Sequence, residues 1–328
     1  SQAIAAALAI TYLLWVYRRR SWADPPISGV GGPGGFLNDG ETNSQSGGQL
    51  RDAQPAAKSE YLPMERLLHR VALHPFVARV AFDVDGLFAL KEPPKVERPV
   101  YVTGLARSGT TLLLKALHSS GTFVSLTYRH MPLITAPLIW DRLTRGHRQA
   151  GEARERAHGD RMAVDYDSPE AFEDVFWLSV GEADYIRPHG LLPHQPDPAA
   201  VADYRRYVAR VLAASGTPED AVRPKKTESI KSQPRRYLAK GNNNLLRIAA
   251  LKRAFPDAVI VTPFRNPRDQ ARSLLAQQRR FLRIHAQNPF SLQYMDWLAH
   301  HEFGAHARPF LFDPALRVDD MAVLNSEA

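Results

Sequence analysis

Short apolar runs alternate with longer helical patterns along most of this chain. Two of the runs, at residues 98–103 and 257–262, are each followed by a turn and then by a helical pattern, and a third run lies at 123–126. Apolar runs of this length, bounded by turns, are typical of buried parallel strands, while the helices between them supply the crossover connections. The sequence therefore predicts an α/β domain with a central parallel β-sheet flanked by helices.

Helical patterns fill much of the remaining sequence. A helix is predicted to begin at Asp167, where acidic residues in the first turn precede an apolar face. The charge-rich stretch 137–161 is interpreted either as a loop that faces a substrate or as a solvated surface run. The other predicted helices lie at 61–68, 201–214, 244–255, 267–286 and 291–300.

The amino-terminal residues 1–20 form a separate unit. Residues 3–17 are almost continuously apolar and three arginines follow them, whereas a signal peptide has its charges before the apolar run. A membrane anchor and a helix packed on the domain are both open interpretations, because the run is shorter than the ~20 residues that span a bilayer. The predicted location is cytoplasmic, since an anchor with charges on this side would leave the body on the cytoplasmic face.

Composition sets further limits. Residues 21–58 are rich in glycine, proline and serine and are predicted to be a flexible linker before a domain at 59–328. The net charge of +8 suits an anionic ligand, but no basic stripe with interleaved aromatic residues is present, so nucleic-acid binding is not expected. The absence of cysteine excludes disulfides and thiolate catalysis.

The first apolar run leads into a loop suited to binding phosphate. Gly104 and Gly109 have the spacing of a P-loop, but Thr110 stands where that loop has lysine, and the nearest cation is Arg107. Such a loop needs unpaired amides at a helix start and a mobile cation. The guanidinium can fork onto anion oxygens, and the hydroxyls of Thr110 and Thr111 can donate to the same anion.

The last apolar run is followed by a second site of this kind. Arg265 comes at the end of the predicted strand, and Pro267 suits the first turn of the next helix because its missing N–H would be unpaired there. Ser273 then lies about two turns into that helix. An arginine and a hydroxyl in these positions can clamp one further phosphate.

Together the two strings resemble the motifs of sulfotransferases that use 3'-phosphoadenosine 5'-phosphosulfate (PAPS), most closely a broad bacterial-type branch, over about residues 97–310. The resemblance implies a P-loop-type fold, a sulfuryl transfer that needs no metal, and adenosine 3',5'-bisphosphate (PAP) as product. It implies a hydroxyl or amine acceptor on a small molecule, carbohydrate or lipid. The cofactor-binding residues implied are Arg107, Ser108, Gly109, Thr110 and Thr111 for the 5'-phosphosulfate, and Arg265 and Ser273 for the 3'-phosphate.

Catalytic roles follow from the resemblance and from the in-line reaction. Arg107 is predicted to stabilise the transferring group and the leaving phosphate. Lys240, on a predicted glycine-asparagine turn before a helix, resembles a lysine that reaches substrate oxygens. His130 is the first choice for the general base, because the run His-Met-Pro-Leu looks similar to one that carries the base in the cytosolic branch. Glu173 is the second choice, since burial would raise its pKa.

Two departures from the family pattern are visible. Arg107 replaces a common lysine, and no basic, glycine-containing element follows residue 310, so either the chain is truncated or Arg235, Arg236 or Arg247 takes over. Two other functions stay open: a P-loop kinase, and a membrane-tethered protein that binds the nucleotide without catalysis.

Overall fold

The computed structural model describes residues 63–144, 154–155, 163–164, 168–215 and 235–313. Within these residues a four-stranded parallel sheet is flanked by helices. The predicted α/β class with a central parallel sheet is therefore confirmed. The strands of this sheet are β1 (Val100–Val102), β2 (Phe123–Val124), β7 (Arg236–Lys240) and β8 (Val259–Val261), and their order across the sheet is β2-β7-β1-β8.

The helices connect and cover the strands. Two short antiparallel pairs, β3 (Arg154–Glu155) with β4 (Ala163–Val164) and β5 (Ile186–Arg187) with β6 (Gly190–Leu191), lie apart from the main sheet. The α-helices are α1 (Pro63–Ala72), α2 (Pro75–Gly86), α3 (Thr110–Ser119), α4 (Pro137–Thr144), α5 (Glu173–Ser179), α6 (Pro198–Ala214), α7 (Ile248–Ala254), α8 (Pro267–Gln287) and α9 (Pro289–Trp297).

The register brings three strands to the same level at their carboxyl ends. Val102 at the end of β1 lies opposite both Lys240 of β7 and Val261 of β8. Alternate side chains enter different cores: Val102 packs with Leu114 of α3, whereas Tyr101 joins a cluster with α5 and α6. Segments that leave these strands therefore start side by side, which is where ligands bind in parallel sheets.

Three sequence predictions about elements are corrected. Lys240 is predicted to lie on a glycine-asparagine turn, yet it is the last residue of the central strand β7, which is buried from Tyr237 to Lys240. The first part of the predicted loop at 137–161 is helix α4, whose Trp140 is 1% exposed. Helix α5 begins at Glu173 rather than near 167, because Pro169 pairs with Thr127 in an isolated bridge.

The predicted anchor at residues 3–17 and the predicted linker at 21–58 lie outside the described residues. Among the residues that are described, no helix combines the length and the apolar character needed to cross a membrane.

Candidate active site

The loop between β1 and α3 has the backbone of an anion cradle. Gly104 and Gly109 have φ angles of 148° and 102°, values that favour glycine, and Gly109 is the N-cap of α3. A Cβ at Gly104 would lie 3.2 Å from the Ser108 hydroxyl, so the absence of a side chain keeps the turn tight. Arg107 adopts the left-handed conformation at φ 68°. Helix α3 begins at Thr110, as the sequence predicted, with its amino end at this loop.

The two predicted phosphate motifs meet in space. The Nε of Arg107 donates to the Ser273 hydroxyl at 3.0 Å, and a terminal nitrogen of Arg265 donates to the Arg107 carbonyl at 3.0 Å. One turn before Ser273, Gln270 donates to the carbonyl of Ala106, also at 3.0 Å. Segments more than 150 residues apart in sequence thus form one polar cluster that carries two guanidinium groups.

The start of α8 orients this cluster. Pro267 occupies the first turn, and the side chain of Asn266 accepts a hydrogen bond from the amide of Arg268 at 3.0 Å. This N-cap fixes the point at which the chain turns from β8 into the helix. Arg265 precedes the cap and is exposed, while Ser273 lies further along and is half-buried against the loop.

Hydroxyl groups in the loop are suited to an anionic ligand. Ser108 and Thr110 are 8% and 4% exposed, and Thr111 is half-buried. The hydroxyl oxygen of Ser108 is buried and has no hydrogen-bond partner among the described residues. A buried hydroxyl ordinarily has a partner, and a bound anion would supply one. The loop residues therefore fit an anionic group.

The end of β7 is tied directly to the phosphate loop. The amide of Gly241 donates to the carbonyl of Val102 at 3.1 Å, and the Thr103 hydroxyl donates to the Gly241 carbonyl at 2.8 Å. Lys240 is the last residue of β7 and is 8% exposed, rather than lying on an open turn as predicted. Its ammonium group makes no ion pair within 4.0 Å in the described part of the chain, although its charge acts on Glu302.

Glu302 was not found by the sequence analysis. Its Oε1 accepts a hydrogen bond of 2.7 Å from the side-chain amide of Asn242, two residues after Lys240. Burial acts to raise the pKa of Glu302, but His300, Lys240 and the Asn242 amide outweigh it, so the pKa lies below the ordinary value. No motif surrounds this glutamate, and only the fold brings it to the sheet edge.

His130 follows β2 and therefore lies at the same edge of the sheet as the phosphate loop. It ends a short 3-10 helix, Tyr128–His130, and its Nδ1 accepts a hydrogen bond of 3.0 Å from the amide of Thr127. The imidazole thus takes part in a capping box with that threonine. Its predicted role as general base remains a prediction, but one ring nitrogen already serves the local backbone.

Glu173, the second candidate for the general base, lies in a buried polar environment. It is 3% exposed, and it accepts hydrogen bonds from the hydroxyls of Tyr204 and Tyr237 and from Asn244. Burial raises its pKa, as predicted. The tyrosines belong to the core between the sheet and α6, so Glu173 organises a buried polar cluster there, and its catalytic role stays a prediction.

The three arginines predicted to replace the basic element expected after residue 310 bind other parts of the fold. Arg247 is fully buried and its guanidinium lies 2.6 Å from Asp174. Arg236 starts β7, at the end of the sheet opposite the loop, and binds the carbonyl of Arg98. Arg235 donates to a carbonyl at the end of α6. None of these three contacts involves the phosphate loop.

Comparison with known proteins gives one family. The model of the sulfotransferase family matches residues 99–310. The sulfotransferase STF1 from Mycobacterium tuberculosis H37Rv has 16% sequence identity and a TM-score of 0.35, with 80% of this chain and 75% of that chain covered. The sulfotransferase STF9 from Mycobacterium avium has 16% identity and a TM-score of 0.37, with coverage of 81% and 72%. No curated protein matches the chain. Because the family model spans more than half of the sequence, with every strand of the main sheet and both phosphate motifs, the chain belongs to the sulfotransferase family.

Proposed function

We propose that this protein transfers a sulfuryl group from PAPS to a hydroxyl or amine acceptor by in-line displacement. The observation that carries the proposal is the contact between the two motifs, in which Arg107 bonds to Ser273 and Arg265 bonds to the Arg107 backbone. A donor with phosphate groups at both ends of its ribose needs two anion sites within the length of one nucleoside. Two phosphate sites for separate ligands would not need hydrogen bonds between them.

The loop residues have a division of labour in this proposal. The amides at the start of α3 and the hydroxyls of Ser108, Thr110 and Thr111 bind the 5' end of the donor. The guanidinium of Arg265, which is exposed, and the Ser273 hydroxyl bind the 3'-phosphate. Charge-assisted hydrogen bonds of this kind are the strong ones, since the acceptor is fully ionised.

PAPS supplies an activated sulfuryl group whose leaving group is the 5'-phosphate of PAP. In this proposal Arg107 neutralises negative charge on that phosphate, and Lys240, which is paired in register with Val102 at the end of β1, orients oxygens of the acceptor or the sulfuryl group. Preorganised positive charge of this kind is the main source of rate enhancement in related group transfers.

The donor clamp can be tested by titrating PAP calorimetrically into variants. Arg265→Ala should weaken PAP binding ~10- to 100-fold, because one charge-assisted hydrogen bond to phosphate is lost. The matched control is Arg272→Ala, which removes an 82% exposed arginine of the helix that follows Arg265 and should leave the affinity unchanged. Wild-type affinity in Arg265→Ala would contradict the clamp.

The reaction itself can be tested with PAPS that carries labelled sulfur. Incubation with a cell extract should give a sulfated product whose mass identifies the acceptor class. If PAP binds but no label is transferred to any acceptor, the protein is a nucleotide-binding protein without catalysis. Turnover of ATP in place of PAPS would instead indicate a kinase.

A further inference from the structure

Glu302 bonds to the segment after β7, and its neighbour in the sequence packs against the phosphate loop. On one side, Asn242 holds its Oε1 at 2.7 Å, and Asn242 follows the strand end that carries Lys240. On the other side, the next residue, Phe303, packs with Ala106 of the phosphate loop and with Phe281 of α8. The glutamate is thus connected both to β7 and to the loop.

The connection to the phosphate loop is short and polar. The Thr103 hydroxyl, directly before Gly104, donates to the Gly241 carbonyl at 2.8 Å and reaches the carbonyl of Asn242 at 3.5 Å. The side chain of the same asparagine binds Glu302. Thr103 and Asn242 therefore connect the phosphate loop to Glu302 through hydrogen bonds.

Glu302 also has the chemical capacity to receive a proton. A carboxylate has about four lone-pair sites, so the bond from Asn242 leaves acceptor capacity. The residue is half-buried, and the bond from Asn242 fixes the position of its carboxylate. The charged and titratable neighbours that act on it are Lys240, His300 and His301.

We infer that Glu302 is the general base that removes the proton from the acceptor hydroxyl, with Asn242 as its positioning residue. This inference rests on the proposed sulfuryl transfer. In the step, a bond forms between the acceptor oxygen and sulfur while the bond between sulfur and the bridging oxygen breaks. The hydroxyl proton goes to the Glu302 carboxylate, and the electron pair of the broken bond goes to the 5'-phosphate of PAP.

His130 is less suited to this role in the observed geometry. A neutral imidazole has one acceptor nitrogen, and here Nδ1 accepts from the Thr127 amide. The proton then sits on Nε2, and the ring lone pair that would take a second proton is already engaged by the Thr127 amide. To act as a base, His130 would have to give up its capping bond.

Glu302→Gln is the decisive variant because glutamine is nearly isosteric and its Oε1 can still accept from Asn242. We expect turnover with the acceptor found by mass analysis to fall ~10²- to 10⁴-fold, the usual contribution of a general base. PAP affinity should stay within about twofold of wild type, since the donor-binding residues are intact. Glu92→Gln removes an exposed carboxylate and serves as the control.

The pH profile separates a base from a structural residue. The base works when it is deprotonated, and the pKa of Glu302 is lowered from 4.5. The wild-type rate should therefore fall only as the pH drops below about 4.5, and Glu302→Gln should lack this acid limb. A limb near 6.5, lost in His130→Gln, would assign the base to the histidine.

Each outcome is distinct from a failure of the proposed function. If wild-type protein binds PAP and transfers sulfur while Glu302→Gln does so at the same rate, the sulfotransferase assignment stands and the base assignment is overturned. Glu302→Asp keeps a carboxylate and should recover part of the lost turnover, whereas a purely steric role would make it no better than the glutamine variant. If wild type neither binds PAP nor transfers sulfur, the sulfotransferase proposal fails and Glu302 has no reaction to serve.

Discussion

Ser108 carries a buried hydroxyl that the proposed donor would supply with a hydrogen-bond partner. Its hydroxyl is buried beside Gly104 and lacks a hydrogen-bond partner within the described residues. An unpaired buried hydroxyl destabilises the folded state, because the group has left water without a replacement bond. Such local costs are common at binding sites, where the partner arrives with the ligand.

Ser108→Ala should therefore separate stability from binding. We expect the free energy of unfolding in urea to stay equal or rise, because an unpaired polar group is removed. The dissociation constant for PAP should increase ~10- to 100-fold, since a hydrogen bond to phosphate is lost. Ser119→Ala, at the exposed far end of α3, should change neither quantity. A large loss of stability in Ser108→Ala would show that the hydroxyl has a partner in the folded protein.

Residue identities in the site were predictable where a local motif carried them. Arg107, Ser108, Arg265 and Ser273 stand at fixed spacings within strand-turn-helix strings, and the structure brings these positions together. Glu302 has no such signal, because its place depends on contacts with distant segments. A local pattern cannot encode which part of the chain will return to the sheet edge.

At the scale of elements, the same distinction explains the missed strand. β1 and β8 are rich in β-branched residues. In β7, by contrast, a tyrosine, a leucine and an alanine lie between an arginine and a lysine, and none of the five residues is β-branched. Its strand conformation comes from pairing with β1 on one side and β2 on the other. Similarly, α4 was interpreted as a loop because exposed charges interrupt its apolar residues, yet the helix buries Leu138 and Trp140.

The loop between β1 and α3 contains backbone strain at Arg107, whose φ of 68° is unfavourable for a residue with a Cβ. Arg107→Gly should therefore be more stable to urea than Arg107→Ala by about 1 kcal/mol, while both lose affinity for PAP. The matched pair at exposed Arg272, inside helix α8, should show the opposite order, because glycine destabilises a helix relative to alanine. If Arg107→Ala were as stable as Arg107→Gly or more stable, the loop would not be strained at this residue.

At the scale of the whole molecule, a buried charged network connects the segment after β7 to α5 and to the β6–α6 connection. Arg247 binds Asp174 at 2.6 Å and donates to Nδ1 of His194 at 3.0 Å. The other nitrogen of His194 lies 3.2 Å from Glu182. Burial and the charge of Arg247 lower the pKa of His194 to about 2, so this histidine stays neutral in the folded protein.

This network predicts a loss of stability in acid. The pKa of His194 is lower in the folded state than its ordinary value of 6.5, so the unfolded state binds more protons below that pH and stability falls as the pH falls. Between pH 7.5 and pH 5 the contribution is about 2 kcal/mol. Urea unfolding at both pH values should show a smaller fall in His194→Asn than in wild type.

The control for this experiment is His189→Asn, at an exposed turn between β5 and β6, which should retain the full acid dependence. An equal fall in wild type and His194→Asn would mean that the histidine is already protonated in the folded protein. Because His301 also has a pKa lowered to about 4, the wild-type curve contains more than one contribution, and the difference between variants is the quantity to compare.

The bond between Arg107 and Ser273 has a consequence for engineering the donor site. A loop transplanted from a relative with lysine at this position would lose the planar side chain that reaches across to α8. Arg265 would still donate a hydrogen bond to the backbone of the transplanted loop, but the bond from the loop side chain to Ser273 of α8 would be lost. A designer who wants to change donor preference must therefore exchange the loop and the start of α8 as one cassette.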